Sequence, residues 1–109
     1  IVGGACAFLG VCGAAMGVGI AFSILLRADP YKADERQTVQ QVTQKVLGRI
    51  SSYAAPRCCQ RDVWLALQEA SRLLKEVMGK KLMVDKKIVC RQFTKNKECI
   101  REQCPLWPL

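Results

Sequence analysis

Residues 1–26, IVGGACAFLGVCGAAMGVGIAFSILL, contain no Asp, Glu, Lys or Arg. Such a run must be kept from water, either by lipid or by other parts of a fold. Its length suffices for a bilayer, where about 20 apolar residues make a span. Gly13 and Gly17 even form the G-x-x-x-G pair used by packed transmembrane helices. The flanks argue otherwise, because no basic stretch precedes the run and no aromatic belt brackets it. The preferred reading is a helix over 12–26, apolar all round because it lies at the centre of a bundle. Its Gly and Ala residues let neighbouring helices approach, with Gly10, Gly13 and Gly17 as the expected points of close approach.

The following residues supply the neighbours. RADPYKADERQ reads as a loop, since Pro30 drives Asp29 out of the helical region and a polar cluster separates two periodic segments. A second helix is predicted over 33–53. Val39, Val42, Val46, Leu47, Ile50 and Tyr53 recur at helical spacing, opposite Gln40, Gln41, Gln44, Lys45 and Arg49. Asp34 and Glu35 in its first turn suit the positive end of the helix dipole. AAPRCCQRD interrupts at Pro56, and a third helix is predicted over 60–78 with Gly79 as its C-cap. Two amphipathic helices flanking an apolar one make a bundle self-consistent, which weakens the membrane reading.

The remainder is less regular. KKLMVDKKIVCRQF predicts a short strand or hairpin arm over 88–93, and NKECIREQC one or two helical turns stopped by Pro105. The tail PLWPL is too short to fold alone, so Trp107 is expected to dock on the bundle. At 109 residues the chain is long enough for one core without disulfides or metal. The expected fold is therefore mainly all-α, a compact helical bundle with a central apolar Gly/Ala-rich helix and a less regular Cys-rich C-terminal segment. Residues 1–109 form one domain in this reading. The chain begins at Ile1 rather than Met, as a piece of a longer protein would.

Composition removes several function classes. There is no His, which excludes His-based acid–base catalysis and every zinc pattern that needs imidazole. The 17 Lys and Arg exceed the 9 Asp and Glu, for a net charge of +8. This charge is spread rather than gathered into a stripe with interleaved aromatics. DKKIVCRQFTKNK comes nearest to a nucleic-acid footprint, and Phe93 is its only aromatic. A solvated basic surface is the preferred reading, with nucleic acid and membrane both disfavoured as partners.

Seven cysteines are an unusual load for this length, and an odd number cannot all pair internally. Long helices with few turn residues favour a reduced cytoplasmic protein with metal-binding or redox thiols over a secreted disulfide framework. Taken singly, each cysteine can also be a packing residue. Cys12 and the Cys58–Cys59 pair fall where helices should begin, and a thiol at a helix N-terminus is a better nucleophile or ligand. Arg57, Arg61, Arg91 and Arg101 sit beside thiols and are candidates to stabilise thiolates. C-x-x-C occurs nowhere, so any site must be assembled in three dimensions. Cys12, Cys58, Cys99 and Cys104 are the first candidates and Cys6 and Cys59 the next. Cys90, in the apolar IVC, is the most structural by context. Soft sulfur ligands suit zinc or an iron–sulfur cluster rather than hard cations.

GVCGAAMGVGIAFSILL, residues 10–26, resembles the helix of the redox family named for its C…GCAxxG…C…C pattern, on Gly10, Cys12, Gly13, Ala14 and Gly17. The later cysteines stand at other spacings than that pattern expects. Nearly the whole chain is similar to an uncharacterised bacterial and archaeal family of cysteine-rich domains. The stretches that carry this likeness are GACAFLGVCGAA, PRCCQRD, and the run from Cys90 through ECI to the final Cys-Pro. That resemblance implies a domain found alone or attached to radical-SAM or methyltransferase modules, and implies no particular reaction.

The function expected is a cysteine-cluster domain that binds a metal or Fe–S centre, or does thiol redox chemistry, at one end of a helical bundle. A partner enzyme or fused enzymatic domain is the expected client, and Gly13, Gly17 and Trp107 leave a homodimer open. Whether the chain is itself an enzyme is left open. The first alternative is a helical interaction module with mainly structural cysteines. The second is a membrane-anchored basic protein.

Overall fold

The computed structural model describes residues 3–84 and 88–108. Residues 85–87 of the basic run and residue 109 of the tail lie outside the described residues. A short helix, α1 (Ala5–Phe8), precedes three long ones, α2 (Gly13–Leu26), α3 (Ala33–Ile50) and α4 (Cys59–Met78), and a 3-10 turn (Arg101–Gln103) follows. The chain is all-α, as the periodicities predicted. The short α1 was not anticipated.

The ends of the helices follow from local chemistry. Cys12 is the extended N-cap of α2. That helix closes on Arg27, which adopts a left-handed conformation (φ 53°), and the Lys32 ammonium donates to the Arg27 carbonyl at 2.7 Å. Asp29 Oδ1 accepts the amides of Tyr31 and Lys32, forming the turn into α3. The expected extension of α3 to Tyr53 does not occur. Ser51 and Ser52 donate their hydroxyls back to the carbonyls of Gly48 and Arg49, and this local bonding stops the helix at Ile50. At the far end of α4, Gly79 takes φ 65°. The Gly79 and Lys80 amides reach the Lys75 and Leu74 carbonyls, the expected glycine cap.

The core is shared by all three long helices. Ala15 and Phe22 of α2, Val42 and Val46 of α3, and Ala66 and Leu73 of α4 form one buried cluster. Fully burying a valine or leucine side chain contributes about 1.5–3 kcal/mol. Close approach between helices was expected at Gly10, Gly13 and Gly17, but a Cβ at any of them would meet nothing within 4 Å. The tight contact falls at Gly19, where a Cβ would collide with the Thr43 hydroxyl, so α2 and α3 touch there through a missing side chain.

Short connections make α3 antiparallel to both of its neighbours, so α2 and α4 run parallel. A groove between them is lined by Gly13, Gly17 and Ala21 of α2 and by Val63, Ala66 and Ala70 of α4. The heads of α2 and α4 therefore lie at the same end. Among the described residues no helix is long and apolar enough to cross a membrane. At 14 residues α2 spans about 21 Å, short of the roughly 30 Å of a hydrocarbon core.

The strand expected over 88–93 is absent among the described residues. The Cys90 amide does donate to the Leu106 carbonyl at 2.7 Å, but the Gln92 amide turns back onto Cys90 Sγ, which ends any ladder. Leu106, 1% exposed, is the buried anchor of the C-terminal segment. Trp107 is only half-buried and meets Phe93 in a tilted pair, with ring centroids 4.8 Å apart and planes inclined at 60°.

Candidate functional site

At the head of α4, a cavity of about 240 Å³ is bounded by residues 57–61 and by side chains of the C-terminal segment. Five cysteines line it: Cys58, Cys59, Cys90, Cys99 and Cys104. Cys58 is the extended N-cap of α4 (φ −144°, ψ 97°) and Cys59 is its first helical residue. The other three come from irregular chain 31 or more residues further on, counting from Cys59 to Cys90.

Three of these sulfurs are held in the same way. Cys90, Cys99 and Cys104 each accept a backbone amide from the residue two places later, Gln92, Arg101 and Leu106, each at 3.4 Å. Ile100, with φ −82° and ψ 2°, turns the chain so that the Arg101 amide faces Cys99, and Arg101 itself has a positive φ of 60°. Pro105 follows Cys104 with its φ fixed by the ring. Leu106 links two of the turns, since its amide serves Cys104 Sγ while its carbonyl accepts the Cys90 amide. Cys90 Sγ in turn lies 3.7 Å from Gln60 Oε1, tying the segment to the head of α4.

The wall also carries charge. Arg57 and Arg61 line the cavity. Arg61 is 5% exposed, with one Nη donating to the Pro56 carbonyl at 3.2 Å, its guanidinium 5.9 Å from the Tyr53 ring and its Nε without a partner. Asp62 lies beside it, with 3.9 Å between Arg61 Nε and Asp62 Oδ1. Burial pushes the Asp62 carboxyl above its ordinary pKa, and the neighbouring Arg61 charge offsets part of that shift. The buried Trp107 Nε1 also lacks a partner, and the indole lines the same cavity.

The remaining candidates are elsewhere. Cys6 is exposed on α1, and Cys12 is half-buried against the core cluster at the head of α2, outside the cavity wall. Arg91 is exposed, and Arg101 lays its guanidinium 6.0 Å from the Trp107 ring centroid. Gly13 and Gly17 line the α2–α4 groove, while Gly10 is a left-handed turn residue (φ 69°). Gln60, Gln92, Phe93, Asn96 and Leu106 belong to the cavity wall but not to the residues that the sequence singled out. Their signal was positional, because each lies within three residues of a cysteine.

All seven thiols are free. Among the described residues, no three His, Cys, Asp or Glu side chains are already set to share one metal ion. The arrangement offers soft sulfur donors, backbone amides aimed at them, one buried cation, Arg61, and one exposed cation, Arg57, nearby. These are the elements of thiolate chemistry or soft-metal binding.

No curated protein and no solved structure matches the chain. Residues 1–107 match a family of unknown function, DUF5714, and the chain belongs to that family.

Proposed function

We propose that this is a cysteine-cluster domain whose working part is the thiol-lined cavity at the head of α4. There it binds a soft metal ion or an iron–sulfur centre, or exchanges disulfides, in the reducing cytoplasm and in the service of a partner enzyme or fused catalytic module. The observation that carries this reading is the convergence of five thiols, from two distant stretches of chain, on one cavity of about 240 Å³. Cysteines that served only as packing residues would have no reason to gather where the core is not. The absence of His leaves sulfur as the donor set for soft ions and as the nucleophile for any covalent step.

The test is the metal and acid-labile sulfide content of protein purified anaerobically, together with a count of reactive thiols. Iron with matching sulfide identifies a cluster domain, and zinc alone a mononuclear site. Neither metal, with disulfides forming reversibly among the five cavity thiols, identifies redox exchange. If alkylation of every thiol left fold and partner binding intact, the alternative of a helical interaction module with structural cysteines would replace this reading.

A further inference from the structure

We propose that Cys58, Cys90, Cys99 and Cys104 form one tetrathiolate centre for a single soft divalent ion such as zinc, with Cys59 outside it. This inference rests on the thiol-site reading above and names its ligands.

The three amide-to-sulfur turns carry the argument. An N–H aimed at sulfur is worth most when the sulfur is ionised, as a metal-bound thiolate is. All three cysteines of the C-terminal segment receive such an amide from the residue two places on. Leu106 couples two of the turns through its amide and its carbonyl, which fixes Cys90 and Cys104 relative to each other.

The fourth ligand must come from the head of α4. Adjacent residues project in different directions, so only one of Cys58 and Cys59 reaches a given ion. Cys58 is half-buried on extended backbone ahead of the helix, whereas Cys59 is exposed on its first turn. Burial and the freer N-cap backbone select Cys58.

Charge supports the same set. Four thiolates around one divalent ion carry a net charge of −2, and a partly buried anion needs nearby cations. Arg57 and Arg61 line the cavity, and Arg61 is buried with its Nε not hydrogen-bonded, 3.9 Å from Asp62 Oδ1. The unpartnered Trp107 Nε1 adds a neutral donor on the same wall. Loading takes one ion in and releases up to four thiol protons, and no electron moves. The four sulfurs do not yet meet at one point. Loading must therefore draw the segment over 88–108 and its three thiols in toward Cys58, and the only helical stretch of that segment is one 3-10 turn.

The experiment is alkylation of the full, reduced chain with and without one equivalent of zinc, read cysteine by cysteine by mass spectrometry. It needs no variant and so does not depend on one folding. Zinc is expected to bind once per chain and to protect Cys58, Cys90, Cys99 and Cys104, while Cys6, Cys12 and Cys59 react as they do without it. Protection of Cys59 in place of Cys58, or of fewer than four thiols, would overturn the ligand set. So would iron and sulfide in the anaerobically purified protein. If zinc does not bind but oxidation links the cavity thiols to one another, this centre falls and the thiol-site reading stands. If neither happens, both fall. As a second measurement, Cys99→Ser is expected to abolish stoichiometric zinc binding and Cys59→Ser to keep it, with helical circular dichroism confirming that each variant is folded.

Discussion

The helices over 13–78 and the segment over 88–108 are held together by different means. The helices bury Ala15, Phe22, Val42, Val46, Ala66 and Leu73 in one continuous cluster, where stability accumulates with area. The segment depends instead on local turns and point contacts: a buried leucine, the long-range backbone bond from Cys90 to Leu106, the tilted Phe93–Trp107 pair, the Cys90–Gln60 contact and three amide–sulfur bonds. Regions with little buried apolar area open most easily. Three of the five cavity thiols are thus mounted on the more weakly buried region, and two on the head of the packed helix α4. The helices supply the platform at the head of α4, and the segment supplies the other three cavity cysteines.

Breaking the platform should have the largest effect. Leu73→Ala, at a fully buried core position, is expected to cost about 2–5 kcal/mol. Urea denaturation followed by circular dichroism would show it as a lower midpoint with an unchanged slope. Leu106→Ala removes an equally buried leucine but should act locally. Helical signal is expected to survive, while Cys90 and Cys104 alkylate faster than in the unaltered chain. Equal loss of helix in both variants would show that segment and bundle fold as one cooperative unit.

Gly19→Ala sharpens the picture of the bundle itself. The added methyl meets the Thr43 hydroxyl, and overpacking of this kind costs about 1–3 kcal/mol. Adding Thr43→Ala should restore most of the loss, and thermal melts of the single and double variants would measure it.

The smallest effect concerns Asp62, at the junction of the two regions. Its carboxyl is raised by burial more than Arg61 lowers it, so the folded state holds its proton at higher pH than the unfolded state does. The associated stability is present below the unfolded carboxylate value, about 4, and is lost as pH rises through the higher folded value. Asp62→Asn removes that slope. The stability difference between the two proteins should therefore change in the asparagine variant's favour from about pH 4 upward, and a difference independent of pH would sink the assignment.

The helices were legible because their signals are local and repeated. Val39, Val42 and Val46 mark a face, and Pro56 and Gly79 mark limits, without reference to the rest of the chain. Where local competition decides, the pattern misled. The serine hydroxyls at 51 and 52 shortened α3, and the Cys90 sulfur took the amide that a strand over 88–93 would have needed. The glycines were read correctly as room for another helix but at the wrong positions, since only the relative rotation of α2 and α3 decides that Gly19 meets Thr43. The cavity itself was only half visible. Cys58 and Cys104 announce themselves by a helix start and a following proline. The convergence of Cys90 on them depends on Leu106, a residue that carries no chemical signal at all.

The donors to the three sulfurs of the C-terminal segment are main-chain amides at residues 92, 101 and 106. Any amino acid except proline supplies such an amide. The sulfur contacts therefore ask nothing of the side chains at 92 and 101, while at 106 it is burial that holds the leucine, and a search for fixed polar neighbours would overlook the arrangement. Proline is the one residue forbidden at those positions, although it is well placed at 105. In this segment the heritable constraint lies on what cannot be substituted, more than on what must be present.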